Sequence, residues 1–171
     1  MGDTIQHRIV SSDHLAEGDM GGLSELEFGL IVAHNAFARW VQRCMAAAGH
    51  PELGVLETLV LHHVNHRGRD KRLSDICFLL NIEDVHTVNY ALKKLRGLGL
   101  VGSRKQGKEA FYSATEAGQE ACRRYAEIRR LCLLDGLPDS IDTDRDLTET
   151  GARLRRLSGQ YDQASRAAAT L

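Results

Sequence analysis

Three histidines stand close enough together to suggest metal chemistry. His62 and His66 are one helical turn apart, which is the spacing of a two-histidine metal clip, and His63 lies between them. The helix is about to end at these residues, and histidines also suit the negative end of a helix dipole. We therefore expect a solvated helix end without metal, although a metal role for these three histidines stays open.

The cysteines could act as redox sensors, which requires an exposed thiolate beside a cation. Arginines adjoin Cys44 and Cys122 in sequence, but adjacent residues on a helix point apart. C-x-x-C pairs are absent from the sequence. We expect reduced, mostly buried thiols that pack in the core of a cytoplasmic protein; the four are Cys44, Cys77, Cys122 and Cys132.

Catalytic motifs are also absent from the sequence. It has no Gly-rich phosphate loop, no G-x-S-x-G elbow, no H-E-x-x-H and no paired carboxylates on an apolar face. Residues 1–20 lack the apolar region of a secretory signal, and no run approaches the roughly 18 apolar residues of a membrane span. We expect no enzyme, no cofactor and no membrane segment.

Positive charge is concentrated in one part of the chain. The net charge is only -1, yet residues 62–108 hold ten Lys and Arg against four Asp and Glu, and both flanking segments are acidic. A local basic module is typical of a site for a polyanion, although many charge clusters are only solvated faces. Arg67, Arg69, Lys71 and Arg72 form one basic cluster, and two more basic clusters follow along the chain.

The element that would position these charges is a helix-turn-helix. Ser74 is placed to cap a short helix, Asn81 suits the left-handed residue that ends it, and Asp84 suits the N-cap of a second helix. That second helix carries an apolar face and ends at Gly99. A turn of about four residues joins the two helices.

A basic hairpin follows, with strands over 100–104 and 109–114 around a Lys-Gln-Gly-Lys tip. The exposed side of the second helix and this hairpin together suit duplex DNA, because a helix fits the major groove and a hairpin lies beside it as a wing. Asn89 and Tyr90 would read base edges, and the wing cations would add affinity without much sequence preference. The candidate DNA contacts are His86, Thr87, Asn89, Tyr90, Lys93, Lys94, Arg104, Lys105, Lys108 and Arg72.

Long helices flank this module. We expect residues 1–22 to form a flexible tail and Ser24 to begin, as part of an S-x-x-E capping box, a helix that runs to Ala48. A helix from Pro51 to about Asn65 precedes the module, one from Thr115 to about Leu134 follows it, and a last helix begins at Thr143. The first helix is apolar almost all round, which predicts burial against a second copy of the chain. Candidate dimer contacts are Leu30, Phe37, Leu147, Leu154, Leu157 and Tyr161.

The stretch RLSDICFLLNIEDVHTVNYALKKLRGLGLV, the basic hairpin and the following ATEAGQE resemble the MarR family of winged-helix transcription factors. The resemblance implies a mainly α fold with a small β-hairpin wing and a homodimer built by terminal helices. The chain departs from the family in two ways: LNIEDVHTV is one residue longer than the usual turn, and the wing lacks the Asp-x-Arg tip. The start of the recognition helix is therefore uncertain by one residue.

These observations predict a cytoplasmic regulator that binds double-stranded DNA as a homodimer. The rival function is a winged-helix module that binds an acidic protein, which would show an exposed apolar patch in place of the cations. Phe37 and Trp40 either line an effector pocket or belong to the core, so a small-molecule effector stays open. We divide the chain into a tail (1–22), a dimerisation helix (23–50), a winged helix (51–115) and C-terminal dimerisation helices (116–171).

Overall fold

A computed structural model of the chain describes residues 21–135 and 144–171. The chain divides into two compact units, one ending at Ile128 and the other running from Arg129 to Leu171. None of the described helices is both long enough and apolar enough to cross a membrane. The elements are α1 (Gly21–Ala47), α2 (Val55–Asn65), β1 (Lys71–Arg72), α3 (Leu73–Leu80), α4 (Val85–Gly97), β2 (Val101–Gln106), β3 (Glu109–Ala114), α5 (Glu116–Arg129) and α6 (Asp144–Ala168).

The first unit is a helical domain with a small antiparallel sheet, as the sequence predicts. Its core is formed by the apolar faces of α2, α3 and α4 together with the ends of α1, β2 and α5. The sheet has the strand order β1-β3-β2, so β3 lies in the middle. Side chains buried to 1% exposure or less include Met45, Leu53, Leu61, Val64, Ile76, Val88, Leu92 and Leu95.

Local signals between α3 and α4 are confirmed. Asn81 has φ 53° and ψ 48°, the left-handed conformation that ends α3. Asp84 caps α4, because its carboxylate accepts the backbone N–H of His86 at 2.9 Å and the hydroxyl of Thr87 at 2.7 Å. These hydrogen bonds lower the pKa of Asp84. Helix α4 therefore begins at Val85, which removes the uncertainty of one residue.

Three predicted helix starts are wrong. α1 is already helical at Gly21, so Ser24 lies inside the helix and does not cap it; the rest of the predicted tail, 1–20, lies outside the described residues. Pro51 lies in a turn, and α2 begins only at Val55 after Gly54.

The third wrong start is that of α3. Its N-cap is Arg72 and not Ser74, because the Asp75 carboxylate accepts the Arg72 backbone N–H at 3.1 Å. That hydrogen bond satisfies a free N–H at the helix end, as an acidic residue in a first turn can.

The wing differs from the prediction at its tip and gains a strand. Gln106 pairs with Glu109, so the turn is only Gly107 and Lys108, and Gly107 has the positive φ (64°) that two-residue hairpin turns require. Strand β1, in which Lys71 pairs with Tyr112, was not predicted, because two residues are too short for a period-2 pattern. Helix α4, which precedes the wing, ends at Gly97 and not at the predicted Gly99.

Thr115 caps α5 as predicted, since its hydroxyl accepts the Gly118 N–H at 3.1 Å. The α-helix ends at Arg129, and a π-helical turn follows over Arg130–Leu134. Cys132 is exposed there, so its predicted burial is wrong. The predicted start of the last helix at Thr143, and the turn before it, lie outside the described residues.

Candidate nucleic-acid interface

The buried side of α4 determines which of its residues face outward. Four apolar residues spaced by three and four point into the core, so the residues half a turn away must point out of the domain. His86, Tyr90 and Lys93 occupy this outer face, and Tyr90 is 74% exposed. The Lys93 ammonium lies 5.6 Å from the centre of the Tyr90 ring, which keeps the cation and the ring together. The buried residues are Val88, Ala91, Leu92 and Leu95.

The other three candidates on α4 lie at the flanks of this face. Asn89 is half-buried, and the Thr87 hydroxyl is held by the Asp84 cap. The Lys94 ammonium lies 3.4 Å from the Glu57 carboxylate of α2, which partly neutralises it. The structure therefore favours His86, Tyr90 and Lys93 over Asn89 as the residues that reach furthest from the domain.

The wing's three cations are not equivalent. Arg104 lies in β2 opposite Phe111, where its guanidinium donates to the Asp70 carboxylate at 2.6 Å and lies 5.2 Å from the Phe111 ring centre. Lys105 lies next to it in the strand, and Lys108 is in the turn. Only Lys108 therefore fits the predicted description of a point charge on the tip.

Asp70 is a residue that the sequence did not single out as part of the site. The family resemblance implies an acidic residue two positions before the wing arginine, and this wing has none. Asp70, 34 residues before Arg104 and directly ahead of β1, supplies the carboxylate instead. The sequence signal was a lone acid within a basic run, and only the pairing of β1 with β3 brings it to the wing.

Arg72 is tied down within the domain. Its guanidinium contacts the Asp75 carboxylate at 3.2 Å and the Glu109 carboxylate at 3.5 Å, and hydrogen bonding with Asp75 raises the pKa of Arg72. Lys71 donates to the carbonyl oxygens of His66 and Arg69 at 3.0 and 2.9 Å. These residues of the third predicted cluster therefore brace the base of the wing.

His62 lies against the core and not at a solvated helix end. His62 packs edge-on against Tyr125, with ring centres 4.5 Å apart, and burial lowers its pKa. The expectation of a solvated helix end is therefore wrong for His62. Within 21–135 and 144–171, no group of three His, Cys, Asp or Glu side chains is placed to hold a metal ion.

Three of the four thiols are buried and poorly suited to redox sensing. Burial raises the pKa of Cys77 and raises that of Cys122 to about 11, so both stay protonated near neutral pH. The Cys44 thiol is 3.5 Å from the Tyr125 carbonyl oxygen. Core packing is thus the role that the geometry supports for Cys44, Cys77 and Cys122.

The long helices expose apolar side chains. On α1, Phe37 is 51% exposed, whereas Leu30 is half-buried. On α6, which has no buried residue, Leu157 is half-buried. Exposed apolar residues of this size are candidates for burial in an assembly; they are Leu23, Leu26, Ile31, Val32 and Phe37 on α1 and Leu147, Leu154 and Tyr161 on α6.

Comparisons with known proteins agree with this geometry. The family of the winged helix DNA-binding domain matches residues 53–118, which span α2 to the first turn of α5. No curated protein matches the chain. Several solved structures, by contrast, share its fold at low sequence identity.

A transcriptional regulator of the MarR family from Rhodococcus sp. RHA1 has a TM-score of 0.60 at 17% identity, covering 78% of this chain and 91% of its own. CouR from Rhodococcus jostii RHA1, bound to p-coumaroyl-CoA, has a TM-score of 0.59 at 16% identity, with 77% and 90% covered. A MarR mutant from E. coli in complex with operator DNA has a TM-score of 0.63 at 12% identity, with 82% and 99% covered. Residues 53–118 therefore match the winged helix DNA-binding domain, and the chain has the fold of the MarR-type winged-helix regulators.

Proposed function

We propose that the chain is a cytoplasmic, non-enzymatic transcriptional regulator that binds double-stranded DNA as a homodimer. Each protomer inserts α4 into one of two successive major grooves of a pseudo-palindromic operator, about 34 Å apart. The observation that carries this proposal is the outer face of α4, where His86, Tyr90 and Lys93 project beside a basic wing. Hydrogen-bonding and cationic side chains on an exposed helix are what base edges and phosphates require.

The direct test is a gel shift with the DNA upstream of the chain's own coding sequence, run at several salt concentrations. We expect a retarded band that a random duplex competes away only weakly, because base contacts add affinity that a random sequence does not offer. Absence of a band with both the upstream and the random duplex at low salt would contradict DNA binding altogether.

The homodimer is supported by the apolar residues that α1 and α6 expose. Keeping so much apolar surface in water is unfavourable, at about 25 cal/mol for each Å². We expect a dimer at micromolar concentration with an interface of about 2,000 Å² or more, in the range of obligate pairs. Light scattering checks this, and a monomer would contradict both the dimer and the two-groove docking.

A charged substitution should weaken that dimer. Phe37→Lys places an ammonium among the exposed apolar residues of α1, so we expect a larger monomer fraction on dilution. Gln42→Lys adds the same charge at an exposed position on another side of α1 and should remain as dimeric as the parent chain.

Paired titrations with specific and random duplexes should distinguish the side chains that contact bases from those that contact phosphates. Lys108→Ala should weaken binding to both duplexes equally, because a cation in this two-residue turn would contact only the phosphate backbone of the DNA. Tyr90→Ala and His86→Ala should each cost about 1–3 kcal/mol on the operator and much less on random DNA. Asn89→Ala should cost less than either, because Asn89 is half-buried. Equal losses on both duplexes for every α4 variant would mean that α4 does not read sequence.

A small-molecule effector is a further part of the proposal. CouR, a solved structure of similar fold, is bound to p-coumaroyl-CoA. A ligand that binds one dimer conformation better than another shifts the population toward it, and thereby changes the spacing of the two α4 helices. Regulation of this kind would act on DNA affinity without any contact between ligand and operator.

The alternative function, a module that binds an acidic protein, is favoured by one observation. Phe78 on α3 is 84% exposed, and Leu79 and Val85 near it in sequence are also exposed. The α4 cations are present as well, and they would suit an acidic protein as well as DNA. The gel shift decides, because an interaction module would give no retarded band with either duplex.

A further inference from the structure

Two large apolar side chains are exposed in the last turn of α3, although the other side of that helix is buried. Phe78 is 84% exposed and Leu79 is 62% exposed, whereas Ile76 and Cys77 lie in the core. Val85, in the first turn of α4, is 47% exposed and follows after a turn of four residues. We call Phe78, Leu79 and Val85 the corner patch. Apolar residues exposed together on a soluble domain mark an interaction site.

Neither of the surfaces described above uses the corner patch. The apolar residues proposed for the dimer lie on α1 and α6, and the proposed DNA contacts lie on the outer face of α4 and on the wing. The patch therefore needs a partner of its own.

Positive charge lies beside one end of the corner patch. Leu79 lines a cavity of about 580 Å³ together with Arg67, Arg69 and Lys71. Arg67 and Arg69 are exposed, and no ion pair within 21–135 and 144–171 involves either of them. Both carboxylates of the same lining already pair with arginines outside it. A partner that fits this surface combines apolar side chains with negative charge.

The chain itself contains a segment of this chemistry, residues 1–20. Four acidic residues and one arginine give the segment a net charge of -3, and Ile5, Ile9 and Val10 supply apolar side chains. The segment is joined to α1, so its effective concentration at the domain is of the order of millimolar. A weak intrinsic affinity is therefore sufficient for docking.

The segment is long enough to return to the winged helix. The buried part of α1 begins at Val41, so Gly21 lies about 30 Å from the core along a straight helix. Ile5 stands sixteen residues before Gly21 and can reach about 53–58 Å in an extended chain. The far end of α1 is therefore within reach of the winged helix.

We propose that residues 1–20 dock on the corner patch of the same chain, with their apolar side chains against Phe78 and Leu79 and their carboxylates beside Arg67 and Arg69. The same patch of a second copy fits less well, because it would bring two sets of unpaired arginines together. A DNA phosphate would satisfy the arginines but leave Phe78 in water.

Tryptic cleavage after Arg8 measures this docking in the full chain, because Arg8 is the only Lys or Arg before Arg39 in the sequence. Trypsin needs an undocked segment, so the cleavage rate follows the undocked fraction. With an effective concentration of about 1 mM and an intrinsic Kd of about 0.1 mM, about one segment in ten is undocked. Mass spectrometry should therefore show cleavage about tenfold slower than in a free peptide of residues 1–20.

Variants of the patch should release the segment. Phe78→Ser and Leu79→Ser should each raise the cleavage rate about fivefold, since each removes apolar area that the segment covers. Arg69→Gln should raise it about twofold, and added salt should have a similar effect on the parent chain. Leu98→Ser is the matched control: it removes an exposed apolar side chain directly after α4 and should change the rate by less than about twofold.

Two results would overturn the docking: a parent chain cleaved as fast as the free peptide, or unchanged cleavage in both Phe78→Ser and Leu79→Ser. Unchanged cleavage in Phe78→Ser combined with loss of association beyond the dimer in light scattering would assign the patch to a second copy instead.

A photocrosslinker locates the docked segment independently. With p-benzoylphenylalanine in place of Ile5, we expect crosslinks to α3 and to residues 66–71. Crosslinks to α1 or α6 in their place would also overturn the proposal.

Docking should lower DNA affinity, and this consequence rests on the proposed function. The corner patch includes the first residue of α4, so docked carboxylates would repel phosphates near that helix. Neutralising three acids of the full chain (Asp13→Asn, Glu17→Gln and Asp19→Asn) should raise affinity for a random duplex about fivefold at low salt. In a Phe78→Ser background the same change should add less than about twofold, because the segment has already left the patch.

The two proposals fail separately. Equal gains in both backgrounds would overturn the effect of docking on DNA affinity. Slow cleavage after Arg8 in a chain that binds no duplex would contradict the proposed function and leave the docking site standing, whereas duplex binding with cleavage as fast as in the free peptide would do the reverse.

Discussion

Affinity for duplex DNA should fall about a thousandfold or more when salt is raised from about 50 to about 200 mM. Each cation that neutralises a phosphate releases a condensed counterion. The entropy gained by that release decreases as the bulk salt concentration rises. A dimer that makes about six to ten phosphate contacts gives a loss of this size. Fluorescence anisotropy with a labelled duplex at four or five salt concentrations measures the slope.

The structure indicates which cations should carry this slope. Lys93, Lys105 and Lys108 are exposed, and no ion pair involves any of them among the described residues. Lys94 and Arg104 already contact carboxylates. Replacing such a carboxylate by a DNA phosphate therefore gains less binding free energy than a phosphate contact of an unpaired lysine. Two copies of the three exposed lysines account for the lower end of the expected number of contacts.

Single variants sharpen the test. Lys105→Ala and Lys108→Ala should each reduce the slope of log affinity against log salt by about 0.9 for every phosphate that the variant no longer neutralises. Arg123→Ala, which removes an exposed arginine bound to Glu120 on α5, should leave the slope unchanged. Affinity that ignores salt over this range would remove the electrostatic basis of the proposed function.

The sequence predicted best where a structure depends on neighbours along the chain. Asn81 and Asp84 end α3 and begin α4 through contacts within a few residues, so their types alone located the helix-turn-helix. The apolar face of α4 followed equally well from its period. From that face, the outward direction of His86, Tyr90 and Lys93 was predicted without a structure, whereas the lower exposure of Asn89 was not.

The parts that sequence reasoning missed depend on distant pairing. Strand β1 exists because Lys71 and Arg72 pair with β3, and the Asp70–Arg104 contact joins residues 34 apart in the chain. Neither the strand nor the contact leaves a periodic pattern in the sequence. Ser24 misled for a different reason: a capping box is a local motif, and a helix that already continues upstream of it needs no cap there.

The second large expected effect is on stability, and it arises where Gly118 of α5 lies close to Leu100, the residue before β2. A Cβ atom at Gly118 would overlap the carbonyl oxygen of Leu100 and would lie 3.3 Å from Leu61 Cδ1. That carbonyl accepts the Thr115 N–H at 3.0 Å, and the Thr115 hydroxyl donates to the Gly99 carbonyl oxygen at 2.6 Å. The start of α5 is thus held against the end of α4 at a distance that only glycine allows.

Gly118→Ala should therefore destabilise the chain by about 3 kcal/mol, the upper part of the usual range for overpacking, because backbone must move. Urea denaturation at fixed protein concentration measures the change, and we expect a lower midpoint with a similar slope. Gly97→Ala is the matched control, since nothing lies within 4 Å of a Cβ there and a helical alanine should stabilise by about 0.5–1 kcal/mol. Equal midpoints for the two variants would mean that α5 can move away from Leu100 at no cost. In that case the contacts of Thr115 would not fix the wing relative to α4, and the wing cations would lose the rigid placement that the proposed DNA contacts need.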